Sequence, residues 1–309
     1  MPDMKATVLV NSTARGIKAS FDPSRVVRYL EKRGISTVLA LPISAEDATA
    51  RARESADRGD DLLFAVGGDG TVRDVAAGLA GSETALAAVP GGTVNVWARE
   101  AGIPQSIRRA VDAHLAGQSI HIDLGRANEQ RFLLMAGVGW DAEIASRVSH
   151  RLKSATGDLA YIAQAVRMAP ALRPKPARWK AGDDSAEEPL AWMVLGNSRL
   201  YGGRVHITGE AAIDDGELDV VAFCPKHVTD TVRLAGKVAL GRKDDSRLKR
   251  FRSPEVTIDT PGLAVQLDGD YAGQTPMTFS VERDALLVSV PAGPLPPLFG
   301  REHTNRRKP

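Results

Sequence analysis

Four unbroken apolar runs, ATVLVN (6–11), STVLAL (36–41), LLFAV (62–66) and ALAAV (85–89), recur at intervals filled by helix signals. Each is short for a helix, and none alternates as a strand with one wet face would. Each therefore reads as a strand covered on both sides. Between them, residues 23–33 read as a helix with Asp22 at its N-cap and Gly34 just past its end. Ser44-Ala45-Glu46-Asp47 resembles a capping box opening a helix to about Arg58. Further helices are expected at about 72–80 and 106–116. Strand and helix in alternation call for a parallel sheet with helices on both faces, so residues 1–122 are expected to form one α/β domain.

After residue 122 the pattern changes. HIDLGRA (121–127), Asn128-Glu129 and RFLLMAGVG (131–139) read as a hairpin. Helices are expected near 141–151 and 157–168, with Pro170, Pro174 and Pro176 breaking the chain after them. Short β-like runs follow at 191–196, 204–208, 218–224, 255–259, 263–270, 277–282 and 285–290. Residues 123–290 are thus expected to form an antiparallel sandwich or barrel with a helical insertion.

Two of the parallel strands end in glycine-rich turns, Gly67-Gly68-Asp69-Gly70-Thr71 and Pro90-Gly91-Gly92-Thr93. In an open parallel sheet ligands collect beyond the C-terminal strand ends. Phosphate needs backbone N–H donors at close range, and glycine removes the side chains that would block its approach. Thr71 and Thr93 add hydroxyls. Asp69 would repel a polyphosphate unless a cation intervened, which suggests that it orders magnesium and its waters. Turns without a ligand are the plainer reading of either loop alone; the pair in one α/β unit favours nucleotide. No G-x-x-x-x-G-K-[ST] loop occurs.

The 309 residues suffice for two cores, and the net charge of +2 is too small to argue for nucleic acid. No apolar stretch of about 18 residues is present, nor the pattern of a signal peptide. With one cysteine, Cys224, the expected compartment is cytoplasmic. Basic residues gather at 233–252 and in the tail REHTNRRKP, where they could face anionic lipid; a solvated face is the alternative.

GGDGT at 67–71 and PGGTVNVWAR at 90–99 resemble the two signature segments of the diacylglycerol kinase catalytic family, which includes bacterial lipid kinases and sphingosine kinases. The resemblance extends through Asn11-Ser12-Thr13-Ala14-Arg15-Gly16, Asp123-Leu124-Gly125, Gly137-Val138-Gly139-Trp140-Asp141, the run 214–219 and Leu267-Asp268-Gly269-Asp270. It implies a three-layer α/β domain over 1–122, a β-sandwich domain over 123–290, ATP between them and a final segment, 291–309, returning to the first domain. It implies nucleotide contacts at Asn11, Ser12, Thr13, Ala14 and Arg15, at Gly67, Gly68, Asp69, Gly70, Thr71, Val72, Arg73 and Asp74, and at Gly92, Thr93 and Asn95. Asp69 and Asp123 would organise the catalytic Mg2+, and a second, structural Mg2+ would sit at Asp215 with the backbone of Ala212 and Glu217. An ordinary turn is the plainer reading of that loop.

The resemblance implies ATP-dependent phosphorylation of a lipid hydroxyl, diacylglycerol first, by a peripheral protein at the inner membrane face, either monomeric or homodimeric. Its proton acceptor would be Asp270, in the place of a glutamate one methylene longer, or else Asp268; a hairpin-only role for Asp-Gly is the alternative. The sequence departs from the family at Val96, Arg73-Asp74, Leu41-Pro42 and Trp97, the last expected at a lipid entrance or in the core. Two rivals remain: a catalytically silent lipid- or nucleotide-binding regulator, and an NAD kinase, which would carry a Thr-Pro-Thr-Gly-Ser-type segment that is missing here. Gly137 to Ala142 fits G-x-G-x-x-A, but a second helix, not a strand, is expected after it, against a dinucleotide fold.

Overall fold

The computed structural model describes residues 4–11, 22–140, 142–143, 174–201, 205–225, 227, 230, 233–234, 245 and 247–300. Residues 12–15, the helices expected near 141–151 (apart from 142–143) and 157–168, the stretch 235–244 and the tail 301–309 lie outside the described residues.

The apolar runs become β1 (Lys5–Val10), β2 (Ser36–Ala40), β3 (Leu62–Gly67) and β4 (Ala85–Pro90), paired in parallel in the order β2-β1-β3-β4. Every residue of β3 and β4 is buried, as continuous apolar runs demand of central strands. The chain returns through α1 (Ser24–Glu31), α2 (Ala45–Asp57) and α3 (Asp69–Leu79), then α4 (Val96–Glu100) and α5 (Ile107–Leu115). Ser44 caps α2, its hydroxyl accepting the Asp47 N–H at 3.1 Å, while the Asp47 carboxylate accepts the Ile43 N–H at 3.0 Å. Helix α3 begins at Asp69, earlier than its apolar pattern indicated, because the glycine turn itself winds into its first turn.

The later strands make a β-sandwich. One layer has the order β14 (Leu248–Ser253), β13 (Leu218–Phe223), β10 (Trp192–Gly196), β7 (Met135–Gly139), β16 (Ala264–Leu267) and β17 (Asp270–Gln274). The other layer is antiparallel: β18 (Met277–Val290), β15 (Glu255–Ile258), β8 (Lys175–Ala181) and β9 (Asp184–Leu190). Val138, Leu195 and Val220 from the first layer share a core with Trp179, Ile258 and Phe279 from the second.

Two strands expected to be simple behave otherwise. The run 131–139 splits into β6 (Gln130–Phe132), paired with β5 (Gln118–Ala127), and β7, which crosses to the other layer. The runs 277–282 and 285–290 are one strand, β18, irregular between Glu282 and Leu286. The lower half of β18 pairs with β15, and its upper half lies parallel to β4 at Val288. One ten-stranded sheet therefore serves both cores. Leu298 and Phe299, after that strand, pack into the α/β core.

Candidate active site

Because β3 and β4 are neighbours, their glycine turns emerge side by side. The Gly91 N–H donates to the Gly67 carbonyl at 2.7 Å. A Cβ at Gly92 would lie 2.7 Å from the Gly68 Cα, and one at Gly67 would lie 2.4 Å from the Thr71 Oγ1. The backbones touch where side chains would hold them apart. Asn11, leaving β1 alongside, donates from Nδ2 to the Thr71 Oγ1 at 3.0 Å. Thr93 is exposed at the tip of its turn, and Thr71 and Val72 are buried beneath theirs.

Asn95 holds the second turn in shape. It adopts a left-handed backbone, φ 52°, and its Oδ1 accepts the Gly92 N–H at 2.9 Å. That brings the start of α4 against α3, where the Asp69 Oδ1 accepts the Trp97 N–H at 3.1 Å. Burial pushes the Asp69 carboxyl above its ordinary value, and the Val96 and Trp97 amides oppose that shift. Trp97 itself is fully buried in the α/β core, not at an entrance.

The acidic turn from the sandwich faces these loops. Asp268 adopts φ 49°, and its carboxylate accepts the N–H groups of Leu133, Leu134 and Met135 at 2.8, 2.8 and 3.0 Å. Both its oxygens are occupied at the point where the chain passes from β6 to β7, so its job is to satisfy amides between two sheets. Gln266, a residue the sequence did not single out, shapes the same turn by accepting the Gly269 N–H at 2.6 Å. Asp270 points toward α3: its Oδ2 accepts from the Arg73 Nη1 at 2.7 Å. Arg73 also grips the Asp74 Oδ1 through Nε and Nη2, at 3.1 and 2.8 Å. Burial disfavours the charged guanidinium, but Asp74 and Asp270 more than offset it, and the Arg73 pKa is raised.

Asp69 and Asp123, the expected organisers of magnesium, each have protein partners of their own. Asp123 is buried with its carboxylate accepting the Gly216 N–H at 2.7 Å and the Asp284 N–H at 2.8 Å, apart from the partners of Asp69. It closes the irregularity of β18 onto the 212–217 loop. Among the described residues no group of three or more acidic, histidine or cysteine side chains could hold a metal. Asp69 alone suits a magnesium that arrives on phosphate oxygens, since that ion commonly takes only one or two protein carboxylates. The loop site fits less well. Arg252 pairs with Asp215, with Glu217 at 3.5 Å and with Asp219 at 3.0 Å, so a guanidinium already occupies the side of these carboxylates that a cation would take. Ala212 packs against Gly300.

Comparison with known proteins bears on this geometry. Residues 5–127 match the model of the diacylglycerol kinase catalytic domain, and residues 135–290 that of the YegS C-terminal NAD kinase beta sandwich-like domain. A Pseudomonas aeruginosa protein described as "Probable lipid kinase YegS-like" is 35% identical, over 82% of this chain and 85% of its own. The chain belongs to the diacylglycerol kinase catalytic family. This family member is therefore a kinase, and its family uses ATP. The Bacillus subtilis diacylglycerol kinase is 29% identical to it over 89% of this chain and 92% of its own. A solved diacylglycerol kinase from Bacillus anthracis shares the fold of this kinase, with a TM-score of 0.71 at 20% identity, over 94% and 98% of the two chains.

Proposed function

We propose that the protein transfers the γ-phosphate of ATP to the hydroxyl of a membrane lipid, with diacylglycerol the first candidate. The observation that carries this reading is the contact of Gly68 with Gly92 beside an acidic turn whose Asp270 reaches the first turns of α3. Phosphoryl transfer depends on holding the phosphates and placing the attacking hydroxyl in line. Backbone amides of the two turns would hold the phosphates, with Asn11 beside them. Magnesium would be held by Asp69 and would neutralise charge on the transferred group. Asp270 would accept the hydroxyl proton; Asp268, with both oxygens accepting amides, is the weaker candidate.

Docking at the inner face of an anionic membrane, through the basic segment 233–252, belongs to the same reading. Several of its described cations have protein partners: Arg247 with Asp230 and Lys249 with Glu188. Arg233 also lies 4.0 Å from Asp245, but its side chain is 62% exposed, so its charge still faces solvent.

The test is a screen of lipid alcohols, diacylglycerol among them, with γ-labelled ATP and magnesium in mixed micelles. Labelled phospholipid from the wild type, lost in Asp270→Asn, is the expected result. ATP binding without label in any lipid would overturn the reading in favour of a silent regulator.

A further inference from the structure

Arg73 is not accounted for by nucleotide binding on a glycine turn. It sits on α3 one turn after Asp69, its side chain is 19% exposed, and it reaches 197 residues along the chain to Asp270. Its two acidic partners differ in kind. Asp74 is its neighbour on the same helix, is 15% exposed and takes two guanidinium nitrogens. Asp270 belongs to β17 of the sandwich, is 38% exposed and accepts from Nη1, which also donates to the Leu267 carbonyl at 3.5 Å. The Asp74 contact anchors the guanidinium; the Asp270 contact is the one that can exchange.

We propose that Arg73 is a catalytic cation that exchanges partners, moving from Asp270 to the transferred phosphoryl group when ATP binds. The inference rests on the lipid-kinase reading above and adds the coupling between nucleotide and base. A phosphate bears more charge than a carboxylate and offers the paired oxygens a guanidinium fork prefers. When Nη1 moves to it, the Asp270 Oδ2 gives up its donor and can take the proton of the incoming hydroxyl. The hydroxyl oxygen then bonds to the γ-phosphorus, the bond from that phosphorus to the β–γ bridging oxygen breaks, ADP leaves and the proton rests on Asp270. Without ATP the acceptor stays engaged.

The exchange is read by titrating ATP and ADP, each with magnesium, into the full chain and its Arg73→Ala, Arg73→Lys, Asp270→Asn and doubly substituted variants. No lipid is needed. Arg73→Ala should raise the ATP Kd about ten-fold or more and move the ADP Kd less than about two-fold, because one charged hydrogen bond to the γ-phosphate is lost. Asp270→Asn should tighten ATP by about three-fold, since Arg73 no longer has to leave a partner. In the double variant that gain should vanish. Equal weakening of ATP and ADP in Arg73→Ala overturns the proposal, as does a gain from Asp270→Asn that persists without Arg73, which would mean simple charge removal. Should circular dichroism show Arg73→Ala unfolded, Arg73→Lys decides by the same ratio of ATP to ADP. A wild type that binds no ATP would sink the kinase reading; one that binds ATP but fails these ratios sinks only the exchange.

Discussion

A methyl group at Gly92 would enter the 2.7 Å space before the Gly68 Cα and lie 2.8 Å from the Asn95 Oδ1, whereas one at Gly70 would meet nothing within 4 Å. The two glycines thus serve different ends. Gly92→Ala should cost about 1–3 kcal/mol in denaturant unfolding by forcing the turns apart. Gly70→Ala, on a helix, should leave stability equal or up to about 1 kcal/mol higher. Both should weaken ATP binding in calorimetry, Gly70→Ala because its methyl would face the phosphates. Equal costs to stability would mean that the turns do not touch. His114 supplies a second residue-scale prediction. It is fully buried, with Nε2 2.8 Å from the Ala88 carbonyl and Nδ1 3.0 Å from the Ser289 hydroxyl, and burial lowers its pKa from 6.5 to about 4. Between those values the unfolded chain binds the extra proton. Stability is unaffected above pH 6.5 and falls on acidification to about pH 4, by about 3 kcal/mol from this residue. Unfolding free energies of His114→Gln across that window should have a shallower slope; an unchanged slope would contradict the assignment.

At the scale of elements, Asp69 joins α3 to α4 by accepting the Trp97 N–H. Asp69→Ala should lose about 1–2 kcal/mol, as removal of a helix cap does, while Asp69→Asn keeps an acceptor oxygen and most of the stability. If Asp69 also holds magnesium, both variants should lose turnover, which separates charge from capping. Elements built from local signals were legible before the structure: the Ser44 cap of α2, the end of α1 near Gly34 with its φ of +77°, and the four buried parallel strands. Elements built from distant partners were not. The hairpin of β8 and β9 is polar and places Pro176 opposite Pro189, so neither period nor propensity marks it. The split of 131–139 depends on Asp268, more than 130 residues away. The site follows the same rule: glycine turns could be read from spacing, but the partners of Asp123, Arg73 and Asp215 come from chain crossings that spacing does not record.

For the molecule as a whole, β18 decides how the two halves behave. It pairs with β15 over the sandwich core and lies beside β4 over the α/β core, so neither core closes without it. Unfolding should be one cooperative event. Single-tryptophan variants retaining Trp97 in one core or Trp179 in the other should report urea midpoints agreeing within about 0.2 M, and two separated transitions would mean independent domains. The same strand fixes the cleft, because the sandwich that carries Asp270 is bonded through it to the sheet that carries the glycine turns. A crystal structure with magnesium and a non-hydrolysable ATP analogue tests that arrangement most directly. The account predicts the terminal phosphate against the amides of the Gly68 and Gly92 turns, with Asp270 about 5–6 Å from its phosphorus, room for one hydroxyl between them. A terminal phosphate lying away from either turn, or beyond one hydroxyl's reach of Asp270, would contradict it.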